Sequence, residues 1–175
     1  MKINLKTPLI APPEWQSAVI ENLRKGGPVC QQAANYLEEH RVPIGFSRQR
    51  NTGARWTLRG RIELNARFYS PESTPGHPML LGAVVHEATH LAQGAATALS
   101  VQGEVDAWRA EYLARTELHA PIVNPHWRTV AQTPESPTDE DLRQARRAIL
   151  AMAGYRYLIW LLPLRPLGLR CRRNS

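Results

Sequence analysis

Five consecutive residues carry the strongest chemical signal in this chain: His86-Glu87-Ala88-Thr89-His90. On a helix, residues four apart lie one turn apart on the same face, so both imidazoles can reach a single ion. Neutral histidine nitrogen binds zinc at about 2.0–2.1 Å, a reach that two such side chains can satisfy together. Glu87 follows the first histidine around the helix, where its carboxylate can face a water on the ion and take its proton. The plainer reading is a pair of core histidines that happen to sit one turn apart. Burying two histidines and a glutamate without a metal or partners is costly, which favours the ion. We therefore expect one Zn2+ per chain, with His86 and His90 as ligands and Glu87 in the chemical role.

A catalytic zinc takes three protein ligands and keeps one position open. The metzincin solution is rejected, because Gln93 and Ala96 stand where that pattern needs glycine and histidine. The next helix offers Glu104, in Gln102-Gly-Glu-Val-Asp-Ala-Trp108, and Ala107 is small enough to let two helices approach beside the ion. Glu111, on a shared face of the same helix, is the substitute for Glu104.

On these residues the chain resembles the gluzincins, zinc metallopeptidases whose third ligand is a glutamate on the helix after the His-Glu-x-x-His helix. The resemblance is local, covering about residues 80–118, and the short interval to Glu104 is similar to that of the compact minigluzincins. It implies a zincin-like fold, with His86, His90 and Glu104 as ligands and Glu87 as general base and then acid. It also implies a peptide or protein substrate. One position departs from the pattern. Larger gluzincins carry an acid four residues beyond the ligand glutamate, supporting a histidine, and here that position is Trp108. Asp106 points elsewhere on an ideal helix, so support for the ligands is unassigned. An oxyanion-stabilising His, Tyr or Arg is expected near the metal. Tyr112, His119 and His126 are available, and the sequence places none of them.

The elements that must position these groups follow from periodicity. Trp15, Val19, Ile20 and Leu23 recur at helical spacing over residues 14–24, and Gly26-Gly27 ends that helix. A second helix opens at Pro28 and runs to about His40, burying Cys30, Ala34 and Leu37. Between residues 44 and 69 the apolar pairs Ile44/Phe46, Trp56/Leu58 and Ile62/Leu64 alternate with polar neighbours. We read a small antiparallel sheet of two or three strands, with turns at residues 51–53 and at Gly60. A loop at 71–78 leads to Pro78 and a helix apolar nearly all round, which should run buried through the middle of the fold and deliver His86. Residues 101–119 form the glutamate-bearing helix, with Val105, Trp108, Tyr112 and Leu113 expected inward. Residues 121–137 read as a Pro/Thr/Ser-rich connector. Thr138 and the acids after it start a last helix, running through Ala145, Ile149 and Met152 toward Trp160.

With 175 residues, 43% of them apolar, the chain is long enough for one domain with a real core. We expect an α+β, zincin-like single domain over 1–175, with the connector at 121–137 and a C-terminal helix plus basic tail at 138–175. Cys30 and Cys171 stand in no metal-ligand spacing and form no disulfide framework. The N-terminus has no run that reads as a signal peptide, and the longest apolar stretch, residues 157–162, is too short to span a membrane. A cytoplasmic protein without a transmembrane segment is the expectation.

Net charge is +7, nearly all of the positive side arginine. That balance favours anionic partners, although a GC-rich coding bias produces the same composition. Arg48, Arg50, Arg55, Arg59, Arg61 and Arg67 crowd the hairpin region around Trp56, opposed only by Glu63. Arginine with interleaved aromatics can grip phosphates and stack on bases, but a solvated outer sheet face is the favoured reading. Residues 61–67 can instead serve as the strand that pairs with extended substrate. The Leu/Trp/Pro/Arg-rich stretch at 161–173 reads as a strap packed back on the domain, with contact to an acidic membrane surface as the lesser reading. The function expected is hydrolysis of peptide bonds. Its rival is a zincin scaffold with weak or no turnover, gripping nucleic acid or an acidic partner through the arginine-rich hairpin.

Overall fold

Proline near the first position of each of the first two helices costs no helical hydrogen bond, and both helices begin there. The computed structural model describes residues 8–154 and 158–167. Helix α1 (Pro13–Arg24) buries Trp15, Val19 and Leu23, and α2 (Pro28–Glu39) buries Cys30, Ala33, Ala34 and Leu37. These match the expected 3.6-residue stripes. Trp15 packs edge-on against Phe46, with ring centroids 5.2 Å apart, and its indole N–H donates to the Ser73 carbonyl at 2.9 Å.

The sheet differs from the antiparallel set expected. Strands β1 (Leu9–Ile10), β2 (Ile44–Ser47), β3 (Ala54–Trp56) and β4 (Ile62–Asn65) lie in the order β1-β2-β4-β3. β2 and β4 are parallel, with Ile44 beside Ile62 and Phe46 beside Leu64, while the outer pairs are antiparallel. Direct pairing of the two most apolar strands brings those four side chains together in the core, and β3 is displaced to an edge. Leu58, expected inward, is 81% exposed. It belongs to the turn between β3 and β4, where Gly60 takes a φ of 71° and the alternation of the strand no longer applies.

Helix α3 (Pro78–Gln93) buries Leu80, Leu81, Val84, Val85 and Ala88 on several sides, as its apolar character requires. The short α4 (Ala95–Ala98) turns the chain into α5 (Val101–Glu117), capped by the Ser100 hydroxyl accepting from the Gly103 N–H. Two glycines let these helices close on one another. A Cβ at Gly103 would lie 2.0 Å from the Thr97 carbonyl oxygen, and one at Gly82 would lie 3.0 Å from Cγ of Arg115. At its far end α5 reaches α2: the two carboxylate oxygens of Glu117 accept from the N–H groups of Val29 and Cys30, each at 3.0 Å. That satisfies donors a helix start leaves open.

Of the four residues expected inward on α5, Val105 is buried and the other three are not. Val101, Glu104, Val105, Ala107, Glu111 and Ala114 are buried, whereas Leu113 is 40% exposed and Trp108 and Tyr112 are half-buried. Two carboxylates sit on the buried side, so an apolar stripe could not reveal it. α5 contributes Ala114 to the core under the sheet, and Val101 and Val105 to a second core with Val130, Leu142, Ala145, Ala148, Ile149 and Ile159.

The stretch 121–137 is not structureless. It holds α6 (His126–Ala131), whose Trp127 and Val130 are buried. Helix α7 (Asp139–Ala153) starts on a reciprocal cap between Thr138 and Asp141, as expected, but stops at Gly154, which takes a φ of 79°. It therefore does not reach Trp160, which lies in a single 3-10 turn at Leu158–Leu161. Past that turn the chain is a strap. The carbonyls of Pro163 and Leu164 accept from the N–H groups of Val101 and Gln102 at 2.8 and 3.1 Å, and Arg165 binds Asp139 at 2.9 Å. Cys171 and the end of the basic tail lie outside the described residues. Among the described residues, no helix is long and apolar enough to cross a membrane.

Candidate metal centre

α3 and α5 meet across a cleft of about 390 Å³, and the predicted residues converge there. His86, His90 and Glu104 are all buried and offer ligand atoms within 4.8 Å of one another. The Nε2 atoms of His86 and His90 are 3.1 Å apart, and the Glu104 carboxylate oxygens lie 3.9 Å from the first and 3.6 Å from the second. Zinc ligands at the usual bond lengths and tetrahedral angles are separated by about 3.4 Å, so these spacings bracket what one ion needs.

The other nitrogen of each imidazole shows why the rings face this way. His86 Nδ1 lies 3.1 Å from Glu111 Oε2 as an ion-pair contact, and Glu111 is held in turn by Arg115. His90 Nδ1 donates to Gln93 Oε1 at 3.3 Å, while the Gln93 amide donates to the Gly103 carbonyl at 3.2 Å. Because the Gln93 nitrogen is spent on Gly103, its oxygen is the atom left to face His90. The two Nε2 atoms stand 3.1 Å apart, and with both rings neutral and each Nδ1 turned to its oxygen partner their lone pairs are available to one cation in the cleft. The donor set fits a zinc ion. Glu111, the substitute ligand in the sequence reading, acts instead on the outer nitrogen of His86, and Gln93 plays the equivalent part for His90. Neither role was assigned from sequence.

Burial alone would lower the His86 pKa, but the contact with Glu111 and the charges of Glu87, Glu111 and Glu104 raise it to about 9. Burial raises the Glu87 carboxyl above its ordinary range and Glu104 adds to this, against the pull of His86, His90 and the Trp56 N–H. For Glu111 the desolvation is outweighed by His86 and Arg115, and its carboxyl is held below the usual range. Three buried carboxylates around two imidazoles make a site that is short of positive charge.

Glu87 itself does not touch the ligand atoms' outer partners. Its Oε2 accepts from the Trp56 N–H at 2.7 Å, tying the helix to β3. In the antiparallel pair, Arg55 faces Glu63, and Asn65 and Thr57 bond to Gly53 and Arg61. Ala54 and Trp56 therefore turn their backbone groups away from β4, toward the cleft. This corrects the expectation for residues 61–67: β4 is an interior strand, and the edge beside the centre is β3. The Trp56 ring lies 6.1 Å from that of His90, so it walls the cleft rather than standing among the arginines. Arg55 and Arg61 converge on the buried Glu63. The loop delivering β3 is held by buried amides: Asn65 donates to the carbonyls of Gln49 and Thr52, and Gln49 donates to that of Glu63.

The three oxyanion candidates fall elsewhere. His119 and His126 are exposed, and Tyr112 packs near Trp127. Tyr69 and Arg115 line the cleft instead. Burial raises the Tyr69 phenol, with Arg115 opposing and Glu111 reinforcing, so it stays a donor at neutral pH. Neither stands in a recognisable spacing from the motif. No family model, curated protein or solved structure matches this chain.

Proposed function

We propose that this protein is a zinc-dependent hydrolase that cleaves peptide bonds, of the minigluzincin kind on a zincin-like fold. The observation that carries the reading is the convergence of His86, His90 and Glu104 with a buried Glu87 on the same cleft wall. His86, His90 and Glu104 would hold a zinc ion there, and the ion would supply Lewis acidity toward water and the scissile carbonyl. Glu87, destabilised as a carboxylate by its burial, takes the proton of the attacking water and returns it to the leaving amine. Tyr69 supplies a phenolic hydroxyl in the cleft for the developing oxyanion. The turned-out backbone of Ala54 and the Trp56 carbonyl support peptide as the substrate class, because an extended chain can add beside such a strand edge, next to the Trp56 N–H that Glu87 holds.

The test is elemental analysis of purified protein for zinc, followed by digestion of a mixed peptide library before and after chelation. About one zinc per chain and chelator-sensitive cleavage are expected. Zinc-loaded protein that leaves the whole library intact would replace the hydrolase with a non-cleaving scaffold.

A further inference from the structure

The arginines around β3 form one continuous surface that starts at the cleft. Arg55 lines the cleft together with residues 51–53, and those residues also line an adjoining cavity of about 570 Å³ with Arg50 and Phe68. Arg67 extends the path, its guanidinium lying 5.7 Å from the centre of the Phe68 ring. Arg55 is half-exposed although paired, and its partner Glu63, the one acid between residues 47 and 68, is also shared with Arg61. Arg55 and Arg61 thus share the one carboxylate, and the stretch holds no second acid to set against Arg50 and Arg67.

We propose that this face is a docking site for an acidic polypeptide segment, flanking the bond presented to the metal centre. The proposal deepens the hydrolase reading and rests on it only for the cleavage half. Guanidinium groups bind carboxylates through paired N–H donors, and exposed arginines in excess of their counter-charges attract anionic chains from a distance. Nucleic acid fits less well. A base-stacking platform needs aromatic faces open among the basic groups, but Trp56 is turned to His90 and Phe68 carries Arg67 over its ring. Continuity with the outward-turned Ala54 backbone on the β3 edge also favours an extended polypeptide, which could occupy both surfaces at once.

The test uses the zinc-loaded full chain and three fluorescent probes: one neutral peptide core carrying a hexaglutamate extension, the same core with hexalysine, and oligo-dT of matched length. The glutamate peptide is expected to bind most tightly, with affinity falling steeply as salt rises. The exchange Arg50→Glu with Arg67→Glu should weaken it about tenfold while zinc content stays unchanged. Arg50→Ala with Arg67→Ala should show a smaller loss in the same direction, which guards against misfolding of the reversed pair. His86→Ala should still bind the glutamate peptide. Cleavage of the same core carrying no extension should be equal in wild type and in both arginine variants. Equal binding of the glutamate and lysine peptides, or indifference to both arginine pairs, overturns the proposal; tighter oligo-dT binding moves the face to nucleic acid. Binding of the glutamate peptide without cleavage of any probe would sink the hydrolase reading and leave this face standing.

Discussion

Glu111 Oε2 lies 3.1 Å from Nδ1 of His86, seven residues beyond the glutamate that faces the other nitrogen of the same ring. Two carboxylates on one helix face thus grip one imidazole from both sides. His86→Ala or His90→Ala should take zinc content from about one per chain to near zero. Glu104→Gln should weaken binding strongly, and Glu111→Gln by the ~10–100-fold typical of losing an orienting partner. Competition with a zinc-responsive chelator measures all four. Undiminished affinity in Glu111→Gln would show that Arg115 and the cleft walls hold the ring without it.

Gln93 offers the matching experiment on the second histidine. Gln93→Leu keeps the volume but removes the acceptor for His90 Nδ1 and the tether to the Gly103 carbonyl. Zinc affinity should fall about tenfold, with little change in helix content. Gln93→Glu should restore much of it, since a carboxylate also accepts from Nδ1.

The Glu87 carboxylate meets β3 rather than the ligands, so its removal should separate chemistry from metal binding. In Glu87→Gln the amide oxygen can still accept from the Trp56 N–H, and zinc content should match wild type. Peptide hydrolysis should drop by ~10²–10⁴. A variant that loses zinc in step with activity would make Glu87 structural.

Glu63 gives a pH prediction away from the metal. Its burial raises the carboxyl pKa, but hydrogen bonds from Arg55 and Ser47 and the charges of Arg55 and Arg61 bring it below its ordinary 4.5. A carboxyl depressed in the folded state contributes stability that is complete above the unfolded value and lost as pH falls through the folded one. Wild-type protein should therefore lose melting temperature as pH drops below about 4.5, and Glu63→Gln should lose less over that window while starting lower at neutral pH. Parallel melting curves against pH in both proteins would assign the acid sensitivity elsewhere.

The sequence by itself determined which residues at one place could do chemistry, and the local elements around them. His86, Glu87 and His90 are bound by helical spacing, and an apolar helix can carry them only if it is buried; α1, α2, α3 and the start of α7 follow from caps, prolines and 3.6-residue stripes. Local rules reach that far because the groups concerned share one helix. Tertiary structure decided everything that joins distant segments. It placed β4 between β2 and β3, making Trp56 rather than the 61–67 strand the neighbour of Glu87, because the two apolar strands lie side by side in the core. It assigned Glu111 and Gln93 to the outer nitrogens, and put Tyr69 and Arg115 in the cleft in place of Tyr112, His119 and His126. Hydrophobic periodicity is silent on such placements. The buried face of α5 is partly carboxylate, and a carboxylate goes inside only when imidazole, guanidinium or metal from another segment is there to meet it.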